Sequence, residues 1–410
     1  MLALLLLIPL LGSAGISITR QRGIIEAIHV TASIASLIVA GAVGIGVWTS
    51  GTAVGLSGLL QADALRDLGR TLDAESALDR ALAISDTVVM GLQRVDVLRA
   101  LGILRRRAGR ADAAIEAYRE ALVIAREHKA RLYEARINNA LSYAMLVCGR
   151  YEETIAYALE AIRIDLEVGG HFQVAKTLTN LGHAAARLGD YARASDYFAH
   201  ARSAHVRVYD EEGYADTLLV SAAFALEYES LEIARGWLSQ ARSHLPKASH
   251  YDRVHEQLVT SLVSLMDSQW GQAASAAQAA ALLATKLSLF AFEGYALSVL
   301  AVACAKLSKV SEAKIAIARA RAIAESTQKG EFLIESLGML VDATALVDHS
   351  GHDALSHHLA RALAECEARI STQALRQAFR DRPLIRNLLL KTRPSAVSSL
   401  DEARSSRPIG

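Results

Sequence analysis

The chain has 410 residues, with 44 Lys+Arg against 43 Asp+Glu and a net charge of +1. That balance gives no electrostatic reason for nucleic acid as a partner. Abundant alanine and arginine with only five prolines favour helix throughout, and three distant cysteines (Cys148, Cys304 and Cys366) speak against a disulfide framework.

The first 54 residues form the first segment. Residues 1–18, MLALLLLIPLLGSAGISI, carry no charged side chain, and no Asp, Glu, Lys or Arg occurs from 27 to 62. Val30 to Thr49 is long enough to cross a bilayer core of about 30 Å as a helix, and Ser33, Ser36, Ala40, Gly41 and Gly44 allow close helix contact. The leading expectation is one or two transmembrane helices. A signal peptide followed by an anchor, and the apolar start of a truncated chain, are the other readings. With Arg20 and Arg22 kept on the inner side, the repeats that follow lie outside a bacterial inner membrane; a cytoplasmic array is the alternative. The Gly-rich run GAVGIGVWTSGTAVGLSG lacks the spacing of a nucleotide loop.

From residue 55 to 370 the chain is periodic. Ala81, Ala121, Ala161, Ala201, Ala241, Ala280, Ala320 and Ala362 recur at steps of 39 to 42 residues. Seven positions before each stands Ala74, Ala114, Thr154, Ala194, Ala234, Ala273, Ala313 or, as the exception, Leu355. Between them lies a larger side chain in many units, such as Tyr118 or Phe198. A fixed period of this size marks stacked supersecondary units. Gly69, Gly109, Gly149 and Gly189 precede the alanines by 12 residues, where a left-handed cap ends one helix and starts an antiparallel return. Glu229, Ser268, Ser308 and Ser350 replace them later, so a different turn is expected there.

The segments LGILRRRAGRADAAIEAYREALVIA and LGHAAARLGDYARASDYFAHARSA carry the full pattern. Leu101, Gly102, Gly109, Ala114, Tyr118 and Ala121, and then Leu181, Gly182, Gly189, Tyr191, Ala194, Phe198 and Ala201, resemble the tetratricopeptide repeat family. The resemblance implies an all-α fold, a right-handed helical-hairpin solenoid of about eight units. Two departures stand out: the period is 40 instead of the usual 34, and the closing proline survives only as Pro246. Helices longer by about a turn and a half account for the first.

In that family the first helix of each unit lines a concave surface. The matching positions here are Arg99, Ile103 and Arg106, then Arg136, Asn139 and Tyr143, then Lys176, Asn180, His183 and Arg187. The resemblance thus implies a partner-binding lane for a protein or peptide. Its guanidinium and amide groups suit an acidic segment or a C-terminal carboxylate. The chain reads as a membrane-tethered interaction scaffold. The alternative is a non-catalytic sensor half like those of large bacterial signalling ATPases or serine/threonine kinases.

No catalytic constellation emerges, and no cofactor is expected. Glu152 with Glu153, and Glu211 with Glu212, sit where carboxylates complement a helix dipole. His349, His352, Asp353 and His357 have one metal-like i, i+4 spacing, yet read as a polar turn and helix start, so no metal site is expected. Residues 371–391 read as a capping helix that breaks near Pro383, and 392–410 as a disordered tail.

Overall fold

In this computed structural model the described residues are 59, 61, 62, 65, 71–85, 91–245, 250–327, 332–347 and 351–392. The expected membrane segment and tail, at 1–54 and from 393 onward, lie outside them, as do Gly69, Pro246, His349 and Ser350. Among the described residues no helix is long and apolar enough to cross a membrane.

The described elements are helices, running α1 (Thr71–Ser85), α2 (Gly91–Arg107), α3 (Ala111–Glu127), α4 (Arg131–Val147), α5 (Tyr151–Val168), α6 (His171–Leu188), α7 (Tyr191–Arg207), α8 (Glu211–Tyr228) and α9 (Leu231–His244). They continue as α10 (His250–Met266), α11 (Trp270–Lys286), α12 (Phe290–Lys306), α13 (Val310–Thr327), α14 (Leu333–Val347), α15 (His352–Ala368), α16 (Gln373–Asp381) and α17 (Pro383–Lys391). Two compact units are present, one up to Leu101 and one from Gly102.

In the first unit, α1 buries Ala74, Ala77, Leu78 and Ala81, and Val95, Val97 and Leu98 of α2 are buried as well. The second unit holds the pairs α4–α5, α6–α7, α8–α9, α10–α11 and α12–α13, each closely packed. Its first helices also stack on one another, α4 on α6, α6 on α8, α8 on α10, α10 on α12 and α12 on α14. One hairpin cannot bury its apolar face alone, so each repeat depends on its neighbours. From α3 to α13 the alanine ladder marks the crossings: Ala121, Ala161, Ala201, Ala241, Ala280 and Ala320 are all buried, and Ala362 is half-buried. Their small side chains let backbones approach while Tyr118, Phe198 and Leu238 fill the space between.

Helix ends follow local chemistry. Asp190, Asp210, Ser230 and Thr372 accept a backbone N–H three residues on, the usual service of an N-cap. Gly109, Gly149 and Gly189 adopt φ of 74°, 69° and 84°, the left-handed cap their positions imply. The expected change of turn at Ser268 and Ser308 does not occur. Both serines take the same left-handed conformation, φ 58° and 60°, so stacking imposes the turn despite the Cβ. Glu229, with φ of −121°, does turn differently.

Candidate functional site

The residues predicted for the lane differ in exposure. Arg99, Ile103, Arg106, Arg136, Asn139, Tyr143, Asn180, His183 and Arg187 are half-buried, and Lys176 is exposed. Their neighbours Asn138, Ser142, Thr177, Leu181 and Ala184 are buried, so the helical register separates the lane from the core. Arg99 belongs to the first unit, where it pairs with Asp96 at 3.9 Å.

Side chains of successive repeats meet within the lane. Asn180 Nδ2 on α6 donates to Asn139 Oδ1 at 2.9 Å and to Ser142 Oγ at 3.0 Å, both on α4. The Arg106 guanidinium lies 4.3 Å from the centre of the Tyr143 ring, a distance at which cation–π attraction operates. Arg136 stands 5.9 Å from the Tyr133 ring centre. Its charge also reaches Asp165, whose carboxyl burial pushes up to about 6.

Towards the C-terminal end of α6 the surroundings become enclosed. Burial, reinforced by the Arg187 charge, lowers the His183 pKa to about 3, so the ring is neutral at neutral pH. Its edge meets Phe198 at a centroid distance of 5.9 Å. Burial raises Asp216 on α8, but the hydrogen bond from His255, at 3.0 Å, and the charges of the neighbouring histidines together outweigh this and hold it low.

Arg187 forms an ion pair with Glu335 of α14. Beyond it a cleft of about 710 Å³ is bounded by Tyr151, His183 and Arg187 on one side and by Phe332, Glu335, Cys366 and Arg382 on the other. The last helices thus face the lane. Arg369 donates to Cys148 O at 2.6 Å, Ser371 Oγ to Glu152 Oε1 at 2.6 Å, and Cys366 Sγ lies 3.5 Å from Tyr151 Oη. Sequence reasoning missed Glu227, Glu335, Arg369 and Arg382, because contacts between residues more than 140 positions apart leave no local spacing to read. The segment 371–391 forms two short helices, with Pro383 at the start of the second.

The histidine-rich stretch at α15 makes its side-chain hydrogen bonds within its own chain. His357 Nδ1 lies 2.6 Å from the Asp353 carbonyl, and His352 Nδ1 3.3 Å from Thr344 Oγ1. Among the described residues no three His, Cys, Asp or Glu side chains gather as a metal site would require. Cys148, Cys304 and Cys366 are buried, and none is in a disulfide.

Residues 55–127 and 133–205 match the family model described as tetratricopeptide repeat. A solved Rap protein complexed with Competence and Sporulation Factor is similar to this chain with a TM-score of 0.63 and 8% identity, over 82% of this chain and 94% of that one. The APC/C hetero-tetramer Cut9-Hcn1 gives a TM-score of 0.51 at 15% identity, over 81% of this chain and 55% of that one. At such identities the likeness is one of fold. A signal transduction ATPase with a tetratricopeptide repeat sensor, from Pyrococcus horikoshii, reaches 12% identity and a TM-score of only 0.43, over 85% and 54%, too low to argue from. A search of curated proteins found no match.

Proposed function

Because this chain is a tetratricopeptide repeat protein over the matched residues, we propose that it is a non-catalytic interaction scaffold that docks a partner segment along its first-helix lane. The observation that carries this reading is that Arg136, Asn139 and Tyr143 of α4 and Lys176 and Asn180 of α6, all in the second unit, keep part of their surface open to solvent beside a sealed core. Solvated arginine, lysine and amide groups on consecutive helices offer repeated, modest contacts to an extended chain, and such contacts add through a shared backbone. The positive charges of Arg106, Arg136 and Lys176 favour an acidic segment or a terminal carboxylate. A protein of the same fold, Rap, is known in complex with Competence and Sporulation Factor, which is consistent with a docking role.

The test uses peptides selected from a random library on the full chain. Arg136→Glu and Lys176→Glu are each expected to weaken the selected peptides about tenfold, the scale of one lost charge-assisted contact. Unchanged affinity in both variants would remove the lane as the docking surface. The apolar residues 1–54 are proposed to tether the array to a bacterial inner membrane, with the repeats on its outer side. Retention on membranes through a high-salt wash supports the tether, and release into the supernatant overturns it.

A further inference from the structure

Helices α16 and α17 return to a much earlier part of the second unit, α16 packing on α6 and α17 on α8. Arg382, between them, is only 2% exposed at its side chain. Its Nε and Nη2 donate to Glu227 Oε1 and Oε2 at 3.1 and 3.0 Å, and its Nη1 donates to the Arg187 carbonyl at 3.1 Å. The guanidinium fork therefore meets a carboxylate in the two-pronged geometry that distinguishes arginine from lysine. The Arg187 carbonyl is one of the last in α6, where no intrahelical donor remains and the dipole is negative. Tyr228 Oη satisfies the Ala186 carbonyl next to it at 2.7 Å, leaving the Arg187 oxygen to the guanidinium. Among the described residues the hydrogen-bond acceptors for the Arg382 side chain belong to the repeats, while Phe379 of α16 stands 5.9 Å from the guanidinium at its ring centre.

The last two helices are short, and their buried apolar side chains join the core of the second unit. Each is nine residues long, below the length at which an isolated helix persists. Phe379, Ile385 and Leu388 are their buried apolar residues. A buried ion pair adds little net stability, since desolvation opposes attraction, but it selects strongly for its partner's geometry. Two short helices that meet the repeats through a few apolar side chains and one seated arginine form a unit that can open locally.

We propose that Glu227 and the Arg187 carbonyl form an arginine-recognition seat, occupied at rest by Arg382, and that an arginine-bearing partner segment takes it when the α16–α17 hairpin lifts. The carboxylate of the seat, Glu227, is not a lane residue, and the lane residue Arg187 contributes only its backbone carbonyl.

The experiment uses the full chain and a fluorescein-labelled peptide of residues 371–392, with a twin carrying alanine in place of Arg382. Anisotropy is measured on the unaltered chain and on the variants Arg382→Ala and Leu388→Asp. The second variant loosens α17 and leaves the seat intact. Both variants are expected to bind the peptide at least about tenfold more tightly than the unaltered chain, since the competing occupant is weakened. The alanine twin is expected to bind about thirtyfold more weakly, and adding Glu227→Gln to the Arg382→Ala chain to abolish the difference between twins. Hydrogen exchange of the unaltered chain is expected to expose residues 373–391 ahead of α6 and α8. The proposal fails if the twins bind alike. It fails equally if neither variant binds although its hairpin exchanges freely, or if the hairpin is as protected as α6. Arg136→Glu and Lys176→Glu are expected to leave this binding unchanged, so the lane and the seat succeed or fail separately.

Discussion

A Cβ on Gly182 of α6 would stand 2.5 Å from Cε1 of Phe198 on α7, so the absent side chain is what admits the ring between the two helices. Gly102 and Tyr118 repeat the relationship two units earlier in the array, and both rings are almost wholly buried. Gly182→Ala gains about 1 kcal/mol of helix propensity, but overpacking a filled core costs about 1–3 kcal/mol. The expected outcome is a net loss of up to about 2 kcal/mol in urea unfolding, partly recovered by adding Phe198→Leu. An unchanged midpoint would mean that the ring moves aside freely.

Ser268 and Ser308 hold a left-handed turn that an L side chain adopts only at a cost of about 1–2 kcal/mol. Glycine relieves that strain but is freer in the unfolded chain, so the two effects partly offset. Ser268→Gly and Ser308→Gly are each expected to stabilise the protein by about 0.5–1 kcal/mol, seen as a higher thermal midpoint. A lower midpoint in both would contradict the strain argument.

Asp165 is fully buried, and among the described residues neither of its carboxylate oxygens has a hydrogen-bond partner. Burial lifts its pKa to about 6, opposed by the Arg136 charge, against about 3.9 in an unfolded chain. The folded state therefore holds the proton to higher pH. Its contribution to stability is present below about pH 4 and declines as pH rises through about 6, by about 2–3 kcal/mol in total. Asp165→Asn is expected to exceed the unaltered protein in stability at pH 7.5 and to match it near pH 4. Denaturant titrations at several pH values check this, and equal stability at pH 7.5 would count against it.

His183 acts in the opposite sense. With its folded pKa at about 3 and the unfolded value at about 6.5, the unfolded chain binds the extra proton first. Stability from this group is full above about 6.5 and declines as pH falls, by about 1.4 kcal/mol per unit at most. The two residues oppose each other between about pH 4 and 6. His183→Gln should therefore unmask a fall of stability with rising pH, and Asp165→Asn a rise. Matching pH profiles for the two variants would refute both assignments.

Local and periodic features were legible in the sequence. The alanine spacing located the helix crossings from Ala81 to Ala320, and Gly109, Gly149 and Gly189 located three left-handed caps, because each depends on backbone geometry within one repeat. The register that makes Asn139 and Asn180 adjacent follows from the same period. At Ser268 and Ser308 the absence of glycine hides a left-handed turn, because neighbouring helices impose it on an L side chain. The Arg382–Glu227 contact, across 155 residues, depends on how many repeats accumulate before the chain returns. No spacing within a repeat encodes that. Consequently the lane could be outlined from sequence, but not the cleft wall that Glu335, Cys366 and Arg382 build opposite it.

The central claim is that a partner segment docks on the first-helix lane and not on the outer helices. The most direct measurement places a photo-crosslinking amino acid at Tyr143 or Asn180 in the lane, and at exposed Val123 on α3 as the control. The full chain is then irradiated with a peptide selected on it from a random library. Crosslinks at Tyr143 and Asn180 but not at Val123 are the predicted result. Crosslinks at Val123 with none in the lane would contradict the account.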